Sequence, residues 1–501
     1  MSLDTANSPS GYLATLYRSG RQMGMTRRTK IVATVGPASD SPEALDALLR
    51  AGVDVVRLNL SHGPVDGHLQ RLAEVRAAAR RVGRPIGVLA DLPGPKVRCG
   101  KFPDGGALLA TGDTVRLRPG NTASSHTDIF IDYPTLLDDL EVGDRVMFGD
   151  GAISLNVQSV DDTAAVALIE TGGRPQGRPG AHLPSERLRL TTPTAQDLEL
   201  AEAVASAGVE FIAVSFVRSG ADINQVREVV GQRAELVAKI ETSAALENLV
   251  EIIEAADALM VARGDLGIDC PLEDVPHLQK MIVRKCVEYG LPVITATQML
   301  ESMITAPVPT RAEVTDVANA VFDGTDAVML SAETAIGHDP ALVVETMARI
   351  AERAEAEASY RSWATRLGRI QREHWDSWND RITASLTHAA SQAAEDLGAS
   401  AIVCCTNSGR TAKAMARFRP GCRLIAMSPL QRTVNALALS WGVESVPTAV
   451  YATTDEIVWY AVETAVQRGL VHRGDTVIVL AGSPDRAEGT AADVLRIVQV
   501  Q

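Results

Sequence analysis

Lys239 and Glu241 stand two residues apart at the end of the apolar run Val237-Ala238-Lys239-Ile240-Glu241. In a strand, residues two apart share a face, so the ammonium and the carboxylate point the same way. Two runs of the same kind follow, Met260-Val261-Ala262-Arg263-Gly264-Asp265-Leu266-Gly267 and Ile294-Thr295-Ala296-Thr297-Gln298-Met299. Each begins apolar and ends polar, which sets Asp265 and Thr297 at the ends of the next two strands. Glu241 and Asp265 offer hard oxygens to a divalent metal. Lys239 offers a compact point charge to a phosphate or an enolate.

Earlier runs end in the same fashion. Arg57, Asn59 and Ser61 alternate along one strand face, and Asp91 closes another run. Four cations, Arg57, Lys96, Arg98 and Lys239, gather in a chain whose 48 Lys+Arg and 62 Asp+Glu leave a net charge of -14. The expected substrate is therefore an anion carrying phosphate. Two carboxylates from adjacent strands suit Mg²⁺ or Mn²⁺, and without a His or Cys cluster zinc is not expected. Arg263-Gly264-Asp265 puts pliable backbone where peptide N–H groups can meet a carboxylate. No GxxxxGK[ST] sequence occurs, so a nucleotide is held in another way. Taken singly, each residue is explained by a solvated loop charge or a buried ion pair. Their gathering at the same ends of one strand set argues for an active site.

The elements that must position them alternate. Strand runs Lys30–Val35, Val53–Leu60, Ile86–Asp91, Phe211–Ser215, Ala234–Ile240, Ala258–Ala262, Pro292–Thr297 and Ala327–Leu330 are separated mostly by amphipathic segments such as Pro42–Ala51 and Gly67–Val82. Eight such units predict a parallel sheet closed as a (β/α)8 barrel, with chemistry at the C-terminal strand ends. The gap from Asp91 to Phe211 is too long for one crossover. Its short alternating runs (Thr114–Arg118, Asp128–Ile131, Asp144–Phe148, Ile153–Val160, Ala164–Glu170) and Gly-rich turns predict an inserted all-β module. A Trp- and Arg-rich stretch from Tyr360 to Arg381 reads as a linker. Beyond it, helix Thr383–Leu397, strand Ala401–Cys405, helix Thr411–Phe418, strand Arg423–Ser428, helix Thr433–Trp441 and strands near Ser445 and at Thr476–Leu480 predict an open-sheet α/β domain. The expected division is 1–26 as an extension, 27–93 with 193–360 as the barrel, 94–192 as the β insert and 361–501 as the C-terminal domain.

Composition excludes several classes. The acidic balance argues against a nucleic-acid partner. No apolar run reaches the ~18 residues of a membrane helix, so no membrane partner is expected. Six cysteines without a CxxC pair fit a reduced, cytoplasmic setting rather than a disulfide scaffold.

From Thr29 on, the chain resembles pyruvate kinase. The resemblance rests on Thr29-Lys30-Ile31-Val32-Ala33-Thr34-Val35-Gly36-Pro37, Arg57-Leu58-Asn59-Leu60-Ser61-His62-Gly63, Asp91-Leu92-Pro93-Gly94-Pro95-Lys96-Val97-Arg98, the three runs quoted first, and Pro309-Thr310-Arg311-Ala312-Glu313. It implies Mg²⁺-dependent phosphoryl transfer from phosphoenolpyruvate to ADP, giving pyruvate and ATP in the last step of glycolysis. It further implies a mobile β lid, a regulatory last domain and a homotetramer. By resemblance, Arg57 grips the substrate phosphate, and Lys239 stabilises the transferring phosphoryl group and the enolate. Glu241 and Asp265 bind Mg²⁺, and Gly264, Asp265 and Thr297 meet the substrate carboxylate. Asn59, Ser61 and Asp91 line a monovalent-cation site. Asn59, His62 and Arg98 lie toward the nucleotide, and Ser331 belongs to a proton relay with Thr297.

This chain departs from the family pattern. Leu92 and Lys96 replace the threonine and glutamate of potassium-dependent members, which implies that Lys96 serves the monovalent site and K⁺ is not required. Pro179, after Arg178, stands where many members carry a lysine, and Ala332 replaces a common glycine. The loop Thr406-Asn407-Ser408-Gly409-Arg410-Thr411 reads evenly as a phosphate cradle or a helix cap. The resemblance, in which this loop holds a phosphorylated effector, favours the cradle. The companion loop Ala481–Arg486 is altered, so a sugar phosphate and AMP both stay open as effector. A metal-dependent aldolase or lyase and a catalytically dead sensor are the competing classes. The first leaves the extra cations unexplained, and the second leaves the intact Lys239, Glu241, Asp265 and Thr297 unexplained.

Overall fold

A computed structural model describes residues 27–149, 151–183, 191–358, 378–482 and 492–501. The expected extension 1–26, most of the expected linker and Ser483 to Arg486 lie outside the described residues.

Eight parallel strands close a barrel: β1 Lys30–Thr34, β2 Val55–Asn59, β3 Gly87–Asp91, β10 Phe211–Val214, β11 Glu235–Ile240, β12 Ala258–Ala262, β13 Val293–Ala296 and β14 Ala327–Leu330. Going round, the order is β1-β14-β13-β12-β11-β10-β3-β2. These strands are buried on both faces, which is why they read as continuous apolar runs. One face packs on the surrounding helices through residues such as Ile31, Val56, Val88, Ile212, Leu236 and Leu330. The other fills the interior with Val32, Val55, Leu89, Phe211, Val237, Met260, Ile294 and Met329.

The motif Pro309 to Glu313 is a helix start. Thr310 Oγ1 accepts the Glu313 N–H, and Glu313 Oε2 accepts the Thr310 N–H at 2.7 Å. This reciprocal cap launches helix Arg311–Asp323, and Gly324, at φ 98°, ends it.

Between β3 and helix Ala195–Ser206 lies a six-stranded sheet of β4 Thr114–Pro119, β5 Asp128–Ile131, β6 Arg145–Phe148, β7 Ile153–Val160, β8 Ala165–Thr171 and β9 Ala181–His182. Its order is β5-β4-β8-β7-β6-β9. It has its own core, including Phe102, Leu117, Ile131, Phe148 and Leu155.

The last sheet runs β17-β16-β15-β18-β19, from β15 Ala401–Cys405, β16 Arg423–Ser428, β17 Val443–Pro447, β18 Thr476–Ala481 and β19 Val494–Gln499. Only β19 is antiparallel to its neighbour. This domain seals the N-terminal mouth of the barrel. Ala436, Ala438 and Leu439 join the barrel's interior cluster, and Lys30 Nζ donates to Val443 O at 2.8 Å. A Cβ at Gly87 would lie 3.1 Å from Asn435 O, so the glycine permits this close approach. Arg419 pairs with Asp326 at 3.0 Å just before β14.

Three expectations need correction. Helix Trp378–Leu397 starts inside the stretch read as a linker, because polar and aromatic composition does not prevent a helix that packs through Thr383, Ala384 and Ala390. Helix Thr433–Trp441 is instead helix Gln431–Ala436 followed by a 3₁₀ turn Leu437–Leu439. Helix Thr454–Gln467 and β19 were not anticipated, although Thr453 and Glu456 form a capping box at the helix start. No described helix is long and apolar enough to cross a membrane.

Candidate active site

β11 delivers Lys239 and Glu241 to one face, as their spacing predicts. Lys239 Nζ lies 2.9 Å from Glu241 Oε1, 2.7 Å from Ser215 Oγ and 3.3 Å from Asp91 Oδ1. Burial would push this ammonium toward neutrality, but Asp91 and Glu241 overcome it and hold its pKa above the ordinary lysine value.

Asp91, at the end of β3, is shared. Arg57 places Nε and a terminal nitrogen each 2.7 Å from Asp91 Oδ2, and its other terminal nitrogen donates to Thr34 Oγ1 at 3.0 Å. Thr34 Oγ1 is fixed in turn by donating to Leu330 O at 2.9 Å. Burial favours the neutral Asp91 carboxyl, yet Lys239 and Arg57 hold its pKa below the usual carboxylate value. Arg57 retains two of its five N–H donors for a ligand.

Glu241 is 1% exposed, and its Oε2 accepts the Phe216 N–H at 2.6 Å. Its pKa is raised by burial and by nearby Asp265, against the pull of Lys239. Two carboxylates beside one ammonium make a donor set that suits a divalent ion. Among the described residues, no three His, Cys, Asp or Glu side chains form a metal cage. The donors this region supplies are the two carboxylates, Glu241 and Asp265.

Asp265 sits in helix Arg263–Asp269, directly after β12. Thr297 follows β13 with φ 66°, a conformation rare for a β-branched residue. Its Oγ1 donates to Ala296 O at 2.7 Å and accepts the Gly264 N–H at 2.8 Å. A Cβ at Gly264 would have Thr297 as its nearest neighbour, in ordinary van der Waals contact at 3.6 Å. Ser331 follows β14 and gives its N–H to Glu333 Oε2 at 2.7 Å. No hydrogen bond among the described residues joins Ser331 to Thr297.

Asn59 and Asp91 are directly paired across β2 and β3, and Asn59 Oδ1 accepts the Ser61 N–H at 3.2 Å. Leu92 is buried, and its carbonyl accepts from Ser215 Oγ at 2.8 Å. Lys96 is exposed and makes no ion pair with Asp91, whose oxygens are taken by Arg57 and Lys239. Its charge is felt at His62: burial first, then Lys96, Arg98 and Arg57, lower the His62 pKa. Arg98 reaches the β insert, donating to Arg178 O at 3.4 Å.

Sequence reasoning missed Ser215, Thr34, Phe216 and His68. The first three hold Lys239, Arg57 and Glu241. His68 Nε2 lies 2.8 Å from His62 O and pins the loop after β2. Ser215 had a signal, since it is the polar residue that ends the run Phe211 to Val214.

The loop Thr406–Thr411 joins β15 to helix Arg410–Ala416. Gly409, at φ 83°, donates to Thr406 Oγ1 at 2.9 Å, and Thr433 Oγ1 donates to Asn407 O at 2.6 Å. Ser408 Oγ lies 3.5 Å from the Arg410 N–H. A depression of about 820 Å³ on the β insert, between Lys101–Leu108 and Ala123–His126, lies apart from all these residues. Convergent charge, not cavity size, therefore marks the site.

Residues 26–344 match the family model described as pyruvate kinase, barrel domain, and residues 384–498 match pyruvate kinase, alpha/beta domain. A pyruvate kinase of Methylorubrum extorquens is 43% identical over 478 residues, spanning 95% of this chain and 98% of its own. One from Geobacillus stearothermophilus is 41% identical over 466 residues, 92% of this chain and 78% of its own. One from Mycobacterium tuberculosis is 39% identical over 469 residues, 93% and 97%.

Proposed function

The chain belongs to the pyruvate kinase family, and we propose that its barrel site transfers the phosphoryl group of phosphoenolpyruvate to ADP, giving pyruvate and ATP. The observation that carries this reading is the placement of Lys239 Nζ, within 3.3 Å of Glu241, Ser215 and Asp91 at the strand ends.

Phosphoryl transfer runs through a loose, anionic transition state, so catalysis is mostly positioning and charge. Arg57, held by Asp91 and Thr34, offers its remaining N–H donors to the substrate phosphate. Lys239, kept charged by its carboxylate neighbours, faces the negative charge that develops on the phosphoryl oxygens and the enolate. Glu241 and Asp265 would hold Mg²⁺ or Mn²⁺. When bound, that ion neutralises charge on the reacting oxygens. The backbone at Gly264 and Asp265, together with Thr297, receives the substrate carboxylate. Asn59, His62 and Arg98 face the nucleotide. Enolpyruvate then takes a proton at its methylene carbon as its C–O becomes a ketone, and Thr297 relays that proton through water or Ser331.

In this reading, 27–93 with 193–360 is the catalytic barrel, 94–192 the lid and 361–501 the regulatory domain of a cytoplasmic homotetramer. The loop Thr406–Thr411 takes the phosphate of an activating metabolite. Potassium is dispensable: Lys96 adds a cation near the site, and Asp91 already has two cationic partners.

The test is incubation with phosphoenolpyruvate, ADP and Mg²⁺ in potassium-free buffer, following ATP and pyruvate. Both are expected in equal amounts. Pyruvate with inorganic phosphate and no ATP would indicate hydrolysis of the phosphate ester, and the absence of both pyruvate and ATP would overturn the reading. Sugar phosphates and AMP added to the same assay identify the activator.

A further inference from the structure

Arg263 has no part in the mechanism above, yet it is bound more fully than any ligand-facing residue needs. Its side chain is 11% exposed. Nε donates to Ala296 O at 3.1 Å, and one terminal nitrogen donates to Thr297 O at 2.7 Å. The other terminal nitrogen donates to Asp316 Oδ1 at 2.7 Å and to Gln279 Oε1 at 3.3 Å. Asp316 lies on helix Arg311–Asp323, launched by the Thr310–Glu313 cap.

The two carbonyls gripped by Arg263 belong to the peptide groups on either side of the Thr297 Cα. Holding both sets both backbone torsions of Thr297. That matters because Thr297, at φ 66°, and Gln298, at φ 53°, occupy the left-handed region that a side chain disfavours. A β-branched residue stays there only when its surroundings over-determine it. The same torsions set the direction of the Thr297 Cβ, and Oγ1 is fixed in turn by donating to Ala296 O, the carbonyl that Arg263 also holds, and by accepting the N–H of Gly264, the residue after Arg263.

We propose that Arg263, anchored by Asp316, is a positioning residue for the protonation half of the reaction: its planar fork locks the strained Thr297 backbone and so aims the Thr297 hydroxyl at the methylene carbon of enolpyruvate. The inference rests on the functional reading above. The step it serves forms a C–H bond at that carbon while the enolate C–O becomes a ketone, with the proton drawn from the Thr297 relay. A lysine retains the charge but lacks the fork that reaches two carbonyls and a carboxylate together.

The test uses Arg263→Lys and the milder Asp316→Asn in the full chain, with folding checked by circular dichroism. Three quantities are measured: kcat and KM for phosphoenolpyruvate, the solvent deuterium isotope effect on kcat, and the exchange of pyruvate methyl protons for deuterium with ATP and Mg²⁺, followed by NMR. In Arg263→Lys, kcat and methyl exchange should fall about tenfold to a hundredfold, the cost of slight misplacement. KM should stay within about threefold, and the isotope effect should grow as protonation becomes slower than phosphoryl transfer. Asp316→Asn should move the same quantities less, and it decides the matter if Arg263→Lys does not fold. Methyl exchange at the wild-type rate in a folded variant would overturn the proposal, as would a loss confined to KM. A wild-type protein that makes no ATP would remove the functional reading itself, and this inference with it.

Discussion

Lys413, two residues past the Thr406–Thr411 loop, donates a 2.6 Å hydrogen bond to Glu235, the first residue of the strand that leads to Lys239 and Glu241. One short strand thus has the C-terminal domain at its start and the chemistry at its finish.

Burial pushes the Glu235 pKa above 4.5, and Lys413 opposes that rise. A carboxyl whose folded pKa is raised binds more protons when folded, so its contribution to stability falls as pH rises above 4.5. Lys413→Ala removes the opposing charge and should cost about 2 kcal/mol, less than a fully buried pair because both groups are slightly exposed. The loss of Tm should be larger at pH 7.5 than at pH 5. Melting curves at the two pH values check this, and equal losses would show that Lys413 does not neutralise Glu235.

Lys239→Met should restore about 3 kcal/mol or more of the barrier and lower kcat accordingly, while affinity for phosphoenolpyruvate changes less. Steady-state kinetics with a separate binding titration distinguish the two. A near-normal kcat would sink the role given to Lys239.

Glu241→Ala and Asp265→Ala should each raise the Mg²⁺ concentration needed for half-maximal activity by tenfold or more, on the order of 1.4 kcal/mol of lost metal binding. Metal titrations that overlay the wild type would place the ion elsewhere.

Turnover in buffer whose only monovalent cation is a bulky quaternary ammonium should match turnover with KCl at equal ionic strength. Lys96→Glu should then create a potassium requirement or abolish activity, because it exchanges a cation for an anion near Arg57 and His62. A strong K⁺-specific stimulation of the wild type would defeat the idea.

Much of this was legible in the sequence, for physical reasons. Strand periodicity placed Lys239 and Glu241 on one face, and the apolar runs of the barrel announced strands buried on both sides. The partners that hold those side chains were not legible. Ser215, Thr34 and Arg263 reach Lys239, Arg57 and Thr297 from the adjacent strands β10, β1 and β12, and only the register of parallel pairing makes them neighbours. Lys96 shows the converse: its type suggested a partner for Asp91, but two cations on β2 and β11 are nearer. The start at Trp378 was hidden because tertiary packing, not helix propensity, decides where that helix begins.

The plug of Ala436, Ala438 and Leu439 in the barrel mouth has a consequence for the order of assembly. A chain leaving the ribosome emits β1 first, and domains ordinarily fold as they emerge. Here the ring of strands is complete at Leu330, but the inner layer that closes its lower end arrives about a hundred residues later. Until then Lys30 lacks the Val443 carbonyl and the interior stands open to water at one end. Truncation before Ala436 should therefore yield insoluble protein rather than a smaller enzyme.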